Sequence, residues 1–205
     1  MRLKPIEIRD FTAGRFVVEP SCADMPVTGL TWDSRDVMRG DLYVALPGER
    51  VDGHDFAAAA IKGGAVGVLA SHALEESVLA DVRAAGGFVI EVPDTARAVR
   101  DLACGWRGLL HGRVVGVTGS TGKTSTKNLV RDVLSARFAT VATKANQNNE
   151  LGVPKTVLSA EADTEAVVVE MGMRGQGQIE ELCSFVRPHV GLITNVGESH
   201  IELLG

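Results

Sequence analysis

The chain has 205 residues, enough for one large domain or two small ones, and its 45% hydrophobic and 23% charged residues are close to the globular average. A disulfide-stapled miniprotein is therefore excluded, and the composition favours a folded chain over a disordered one. The net charge of −5 and the aromatic content of 4% argue against the basic stripe that non-specific nucleic-acid binding needs and against stacking platforms for single strands, so no nucleic-acid partner is expected.

Membrane insertion and export are not indicated. No uncharged stretch reaches the roughly 18–20 apolar residues of a membrane span, and the N-terminal MRLKPIEIRD carries charges where a signal peptide would be apolar. Cys22, Cys104 and Cys183 lie far apart with no C-x-x-C pair, so neither a disulfide framework nor a zinc site is indicated. We expect a cytoplasmic protein.

The first part of the chain alternates short apolar runs with turns, which predicts a small α/β domain. The alanine-rich HDFAAAAIKGG predicts a helix that stops at Gly63 and Gly64. Asp94 is a candidate N-cap for a further helix, DTARAVRDLACGWRGLL, that would join two domains. Strands are expected in RFVVEP, VTGLTWDSR, GDLYVALPG, AVGVLAS and GGFVIEV.

The second part contains continuous apolar runs, which are typical of parallel strands covered on both faces. A doubly wound sheet is therefore expected, with functional residues at the carboxyl ends of its strands. The predicted organisation is a first domain over 1–93, a linker helix over 94–113 and a second domain over 114–205. The expected strands lie in VVGV, FATVAT, AVVVEMG and HVGLITN.

The segment GVTGSTGKTS, residues 116–125, lies between the strand VVGV and a helix predicted from Lys123 to Leu134. Glycines let successive N–H groups turn toward a phosphate, the helix N-terminus adds positive potential, and Lys123 adds a charge. Thr124 stands where a P-loop places its magnesium-binding hydroxyl. The strict spacing has four residues between the two glycines, whereas five separate Gly116 from Gly122. The alternative is a glycine-rich turn without a ligand.

Two further residues are expected at the same sheet edge. Glu170 ends the apolar run AVVV, and a carboxylate there is a natural magnesium ligand, although a surface glutamate is the alternative. His200 follows GLIT and the loop NVGES, and it would emerge beside Lys123 and Glu170 unless it is merely solvated.

Polar loops follow other apolar runs. Asn146, Asn148 and Asn149 lie in TKANQNNELGVP, which predicts a rigid loop or cap. In the first part, Arg35 could hold a phosphate as a fork or form a surface salt bridge, and the second is favoured. The motifs of GTP switches, serine hydrolases, zincins and dinucleotide dehydrogenases do not occur in the sequence.

These segments together resemble the ATP-dependent muramyl-peptide ligases of bacterial cell-wall synthesis, from Thr31 onward. TWDSRDVMRGDLYVALPGERVDGHDF is similar to the family's uridine-nucleotide-binding domain, and GVTGSTGKTSTKNL matches its P-loop with the extra residue. NQNNELGVPKTVL, VVEMGMRGQGQIEEL and RPHVGLITNVGESHIELLG look like the branch that adds D-alanyl-D-alanine.

The resemblance implies that ATP phosphorylates the carboxylate of a UDP-N-acetylmuramoyl-tripeptide, and that the amine of D-alanyl-D-alanine then attacks the acyl phosphate. It implies Mg²⁺ as a cofactor, held by Thr124, Glu170 and His200. Lys123, Glu170 and His200 would serve catalysis, and Ser34, Arg35, Glu49 and Arg50 would contact the uridine nucleotide. The ATP contacts would be Gly119, Ser120, Thr121, Gly122, Lys123, Thr124, Ser125, Asn146, Asn148 and Asn149.

Family members are roughly twice as long, with a modified lysine and a third domain beyond the HIELLG segment. The chain is therefore expected to hold the first domain and part of the ATPase domain, to be inactive alone, and to belong to a protein that is a monomer at full length. Two alternatives stay open, a sister ligase that adds the third amino acid and a non-catalytic module that binds UDP and ATP.

Overall fold

The computed structural model describes residues 1–48 and 50–197. The chain divides into two compact units, Met1–Leu102 and Ala103–Gly205. Both contain sheets with parallel strands flanked by helices, which confirms the predicted α/β class. The finer boundaries at residues 93 and 113 stay a prediction. Among the described residues, none of the helices combines the length and the apolar character that a membrane span requires.

The first unit is built on a five-stranded sheet in the order β1-β5-β4-β3-β2. The strands from β2 to β5 pair in parallel, and β1 pairs antiparallel with β5. All five lie in segments predicted to be strands. Their bounds are β1 Arg15–Val18, β2 Gly29–Thr31, β3 Asp41–Val44, β4 Gly67–Ala70 and β5 Phe88–Glu91.

The helices of the first unit are α1 Pro5–Thr12, α2 Ala57–Gly63 and α3 Glu76–Ala84, and a 3₁₀ turn over Gly53–Phe56 precedes α2. The predicted alanine-rich helix is thus confirmed as α2, and Gly64 ends it in the left-handed conformation at φ 111°. Small alanines let α2 lie close to the sheet, where Ala57 and Ala60 pack in one core with Tyr43 and Val68. The helix α4, Thr95–Leu109, follows β5 as predicted, and the division between the units falls within it.

The second unit has a four-stranded parallel sheet in the order β7-β8-β6-β9. Its strands are β6 Arg113–Thr118, β7 Thr140–Ala142, β8 Ala166–Glu170 and β9 Val190–Ile193. Its helices are α5 Lys123–Ser135, α6 Gly152–Leu158 and α7 Gln178–Val186. Every residue of β8 is buried, as its unbroken apolar run predicts, and α5 packs against β6, β7 and β8.

This topology determines where chemistry is possible in the second unit. Because β6 and β8 are parallel neighbours, with Val117 in register with Glu170, their carboxyl ends share one edge of the sheet. The turn into α5 and the carboxylate of Glu170 therefore meet there, although many residues separate them along the chain.

Candidate phosphate and metal site

The turn between β6 and α5 depends on two glycines. Gly119 has φ 132° and Gly122 has φ 79°, both in the region that favours glycine. A Cβ at Gly119 would also collide with the Thr194 hydroxyl. The backbone can therefore make this tight turn only because the sequence places glycine at these positions, and α5 begins directly after it.

Lys123 folds back over this turn. Its Nζ donates hydrogen bonds to the carbonyl oxygens of Gly119 at 2.7 Å and Ser120 at 3.2 Å. The ammonium group thus lies at the mouth of the loop, beside the first-turn N–H groups of α5, which have no partner within a helix. A positive charge and a helix N-terminus at one place make a site suited to an anion.

Thr124 and Asn148 meet on Glu170. The Thr124 hydroxyl donates a hydrogen bond to Oε1 of Glu170 at 3.1 Å, and the Asn148 side-chain amide donates to the same oxygen at 2.9 Å. Glu170 is 1% exposed, so the alternative of a surface glutamate is wrong. The structure therefore brings together three of the side chains that the sequence singled out.

The other carboxylate oxygen of Glu170 is differently placed. Among residues 1–48 and 50–197, Oε2 is buried without a hydrogen-bond partner. The ammonium of Lys127 lies 3.8 Å from it, which is an ion-pair distance. A buried carboxylate oxygen with free lone pairs is available to a ligand.

Lys127 and Thr143 also belong to this site, and the sequence analysis gave neither of them a role. Lys127 is buried on α5, and the Thr143 hydroxyl accepts a hydrogen bond from the Glu170 backbone N–H at 2.9 Å. A signal for Lys127 was available, since it precedes Val130 and Leu134 by three and seven residues and so shares their helix stripe. A lysine on an apolar stripe is a candidate for a buried, paired charge.

The three asparagines predicted near the nucleotide have different roles. Only Asn148 reaches Glu170. The Asn149 side-chain oxygen accepts from the Gly152 N–H at 2.9 Å at the start of α6, and the Asn146 carbonyl accepts from the Asn148 N–H at 2.8 Å. The ligand roles of Asn146 and Asn149 stay predictions.

Residues 194–197, which follow β9, form a second loop. It is hydrogen-bonded to the turn between β6 and α5, residues 119–122, which we call the phosphate loop. The Asn195 side chain accepts from the Thr121 N–H at 2.9 Å and donates to the Thr121 hydroxyl at 2.8 Å. The Thr194 hydroxyl donates to the Thr121 carbonyl at 2.6 Å. The sequence analysis gave these two residues no role. His200 lies outside the described residues, so its place in the site stays a prediction.

Among the predicted uridine-nucleotide residues of the first unit, Arg35 and Arg50 are exposed and Ser34 is half-buried. Arg35 donates from Nε and Nη2 to the two carboxylate oxygens of Asp33, at 2.8 and 2.6 Å, and this bidentate pair raises the pKa of Arg35. The favoured salt bridge is therefore present. Glu49 lies outside the described residues. Their nucleotide contacts stay predictions.

Asp52, His54 and His72 form another titratable cluster in the first unit, with their ligand atoms within 4.8 Å of one another. Nε2 of His54 accepts from the Ser71 N–H at 2.9 Å, so its proton is on Nδ1 and is donated to Asp52. His72 bonds the other oxygen of Asp52 at 2.9 Å and stacks on His54. Both nitrogens of His54 are already engaged, so this cluster is a hydrogen-bonded clasp rather than a metal centre.

The side-chain oxygen atoms of Glu170 and its neighbours fit a divalent cation. A carboxylate, a hydroxyl and an amide supply hard oxygen atoms, which Mg²⁺ prefers, and the unpartnered Oε2 is a ready ligand atom.

Comparison with known proteins agrees with this geometry. Residues 26–107 match the Mur ligase family catalytic domain, and residues 117–205 match the Mur ligase middle domain. The chain belongs to the Mur ligase family. The resemblance inferred from the motifs is thereby confirmed.

A similar relative is the UDP-N-acetylmuramoyl-tripeptide–D-alanyl-D-alanine ligase of a Synechocystis strain, 44% identical over 185 residues. That match covers 89% of this chain and 39% of the relative, so the chain spans about two fifths of the length of such relatives.

Solved structures of this family share the fold. MurF from Acinetobacter baumannii superposes with a TM-score of 0.85 at 29% identity, covering 98% of this chain and 42% of that one. MurF ligase from Thermotoga maritima, solved in complex with ADP, has a TM-score of 0.72 at 33% identity, covering 85% and 39%.

Proposed function

We propose that the chain forms the substrate-binding and nucleotide-binding parts of an ATP-dependent ligase that joins D-alanyl-D-alanine to a UDP-N-acetylmuramoyl-tripeptide. The observation that carries the proposal is the convergence of Thr124 and Asn148 on the buried Glu170, beside the Lys123 loop. The names of the similar ligases and the ADP bound in the Thermotoga structure support it.

Lys123 is the residue that neutralises phosphate charge in this proposal. Its ammonium now bonds two loop carbonyls, and an incoming phosphate would offer it a stronger, charge-assisted partner. The glycine turn keeps side chains away from the phosphate, and α5 begins directly after it, where the first N–H groups have no acceptor within the helix. Phosphoryl transfer depends mainly on such positioning and charge stabilisation.

Glu170, Thr124 and Asn148 are the residues that would hold Mg²⁺ with the nucleotide. When bound, Mg²⁺ neutralises phosphate charge and orients the transferred group. The buried carboxylate keeps its orientation because one oxygen already accepts two hydrogen bonds. The second oxygen is buried at the end of β8, so the protein and not solvent sets its position.

The first unit would bind the uridine nucleotide through the loops that hold Ser34, Arg35, Glu49 and Arg50. Arg35 would exchange its pairing with Asp33 for a diphosphate oxygen, a substitution of one charge-assisted pair for another. The tripeptide carboxylate would then receive the phosphoryl group, and the amine of D-alanyl-D-alanine would displace phosphate to form the amide.

A binding experiment with the 205-residue chain tests this proposal. Titration with a fluorescent ATP analogue in excess Mg²⁺ should give saturable binding, and Lys123→Met should weaken it by about ten-fold or more. Lys62→Met, on a helix of the first unit where the lysine is 75% exposed, is the matched control and should bind as the parent does. Nucleotide binding that is indifferent to Lys123 would refute the phosphate-loop assignment.

Calorimetry with a UDP-N-acetylmuramoyl-tripeptide tests the other half of the proposal. A folded chain should bind this ligand, and Arg35→Met should weaken the binding while leaving ATP binding unchanged. No binding of the UDP-tripeptide by a folded sample would remove the first-unit assignment.

A further inference from the structure

Lys127 is a buried cation that the proposed reaction does not use. The residue is 2% exposed and lies on α5, one helical turn after Lys123. A charged ammonium is costly to bury unless polar groups surround it. Its position therefore requires an explanation from the groups it contacts.

The Lys127 ammonium is surrounded by oxygen atoms from two other elements. Nζ donates to the Thr143 carbonyl at 2.8 Å and the Ala145 carbonyl at 3.4 Å, both in the segment that follows β7. The third oxygen is Oε2 of Glu170, at 3.8 Å, on the neighbouring strand β8. One side chain thus links α5, the segment after β7 and the end of β8.

The same segment carries Asn148 to the carboxylate. Ala145, which Lys127 contacts through its carbonyl, has the unusual φ of 48°, and the chain turns there toward Asn148. A non-glycine residue in that region persists only where its surroundings hold it. The hydrogen bond from Lys127 is one such restraint, and it lies only three residues before the asparagine that reaches Glu170.

Glu170 also needs the charge that Lys127 supplies. Its Oε1 has two neutral donors, whereas Oε2 has no hydrogen-bond partner in the part of the chain that the structure describes. Removing one member of a buried ion pair is strongly unfavourable because the other charge is left uncompensated. Lys123 cannot replace Lys127, since its own ammonium is bonded across the phosphate loop.

We infer that Lys127 is a positioning residue for the nucleotide–metal site, which holds the Glu170 carboxylate and the Thr143–Asn148 segment in the geometry that receives a magnesium–nucleotide complex. This inference rests on the proposed function, because it concerns the same site. Lys127 acts through Glu170 and Asn148, and touches neither phosphate nor metal in this scheme. It is a support of the kind that commonly surrounds metal ligands.

The test compares nucleotide affinity with and without metal. For the parent chain, Lys127→Met and the exposed-lysine control Lys62→Met, the affinity for the ATP analogue is measured in excess Mg²⁺ and again in EDTA. In excess Mg²⁺, Lys127→Met should bind the ATP analogue about ten-fold or more weakly than the parent chain does, because it loses the gain in affinity that Mg²⁺ provides. In EDTA, its affinity should equal that of the parent. Lys62→Met should match the parent in both conditions.

The two outcomes separate the inference from the proposed function. If the parent chain binds no nucleotide, the proposed function fails. If the parent shows a Mg²⁺-dependent gain that a folded Lys127→Met variant retains in full, Lys127 has only a structural role and the inference is overturned.

A second variant covers the case in which Lys127→Met does not fold. Lys127→Met combined with Glu170→Gln removes both buried charges, so the double variant should regain a cooperative thermal transition that the single variant lacks. Failure of the double variant to recover any stability would show that Lys127 serves the loop carbonyls alone, and would also overturn the inference.

Discussion

The Thr124 hydroxyl donates a 3.1 Å hydrogen bond to the buried carboxylate of Glu170, which lies 46 residues later in the chain. The contact joins the first turn of α5 to the end of β8. It brings the turn between β6 and α5 next to the carboxylate that we propose as a magnesium ligand, and its importance can be tested by removing one oxygen atom.

Thr124→Val should leave the fold intact and weaken Mg²⁺-dependent nucleotide binding. The substitution conserves shape and removes one hydroxyl from a partly buried contact, so the free energy of unfolding should fall by only about 0.5–1.5 kcal/mol. Thr126→Val, two residues further along α5, is the control. An equal effect of both variants on the Mg²⁺-dependent affinity would contradict the special role of Thr124.

Gly119→Ala should destabilise the second unit. The residue has φ 132°, and an added Cβ would meet the Thr194 hydroxyl and the Asn195 backbone. We expect a loss of about 1–3 kcal/mol in the free energy of unfolding, measured with urea. Gly191→Ala in β9 is the matched control, because a Cβ there has no described neighbour within 4 Å. A stable Gly119→Ala variant would show that the loop adopts another conformation.

Arg107→Met should also destabilise the second unit, through a different mechanism. The buried guanidinium donates to the carbonyl oxygens of Val186 at 2.8 Å and Arg187 at 3.0 Å, at the end of α7. Without it these carbonyls lose their donors, at a cost of about 1–3 kcal/mol.

Arg97→Met is the control for Arg107, since that arginine is 71% exposed and its ion pair with Asp101 spans 3.6 Å. Such surface pairs contribute little to stability. Thermal unfolding followed by circular dichroism would compare the two variants, and a larger loss for Arg97→Met would refute this assignment.

The Asp52 clasp should make stability depend on pH. Hydrogen bonding to Asp52 raises the pKa of His72, so protonated His72 stabilises the folded state. This contribution is complete below the ordinary histidine pKa of about 6.5 and is lost as the pH rises through the higher pKa of the folded state. His72→Gln should therefore lower Tm at pH 6 and have a smaller effect at pH 9.

At acid pH, Asp52 makes the stability of the same cluster depend on pH in the opposite direction, so that stability falls as the pH is lowered. Hydrogen bonds from His54 and His72 hold the pKa of Asp52 well below its usual value, so its contribution is present above about pH 4 and is lost as the pH falls further. The Tm difference between the parent and His72→Gln should be measured across pH 3–9, with His111→Gln as the control. A difference that does not change between pH 6 and 9 would contradict the clasp.

Several features of the molecule could be derived from local sequence. The phosphate loop is one, because glycines at 119 and 122 permit a turn that other residues resist, and the helix predicted from Lys123 to Leu134 follows it directly. The buried strand before Glu170 is another, since an uninterrupted apolar run is stable only when both faces are covered. These signals act over a few residues, so reading the chain in order is sufficient to find them.

Only the tertiary structure decided which polar residues work together. Asn146, Asn148 and Asn149 are equivalent in a sequence, yet one bonds Glu170 and another accepts a hydrogen bond from the Gly152 N–H at the start of α6. The sequence does not distinguish Lys127 from the other lysines. In the folded chain, β6 pairs in parallel with β8, and a buried carboxylate lies 3.8 Å from the Lys127 ammonium. The sequence by itself determined the local turns and the burial of strands, because backbone freedom and hydrophobicity belong to individual residues. The partners of each charge depend on how distant strands pair, and that is a property of the folded chain alone.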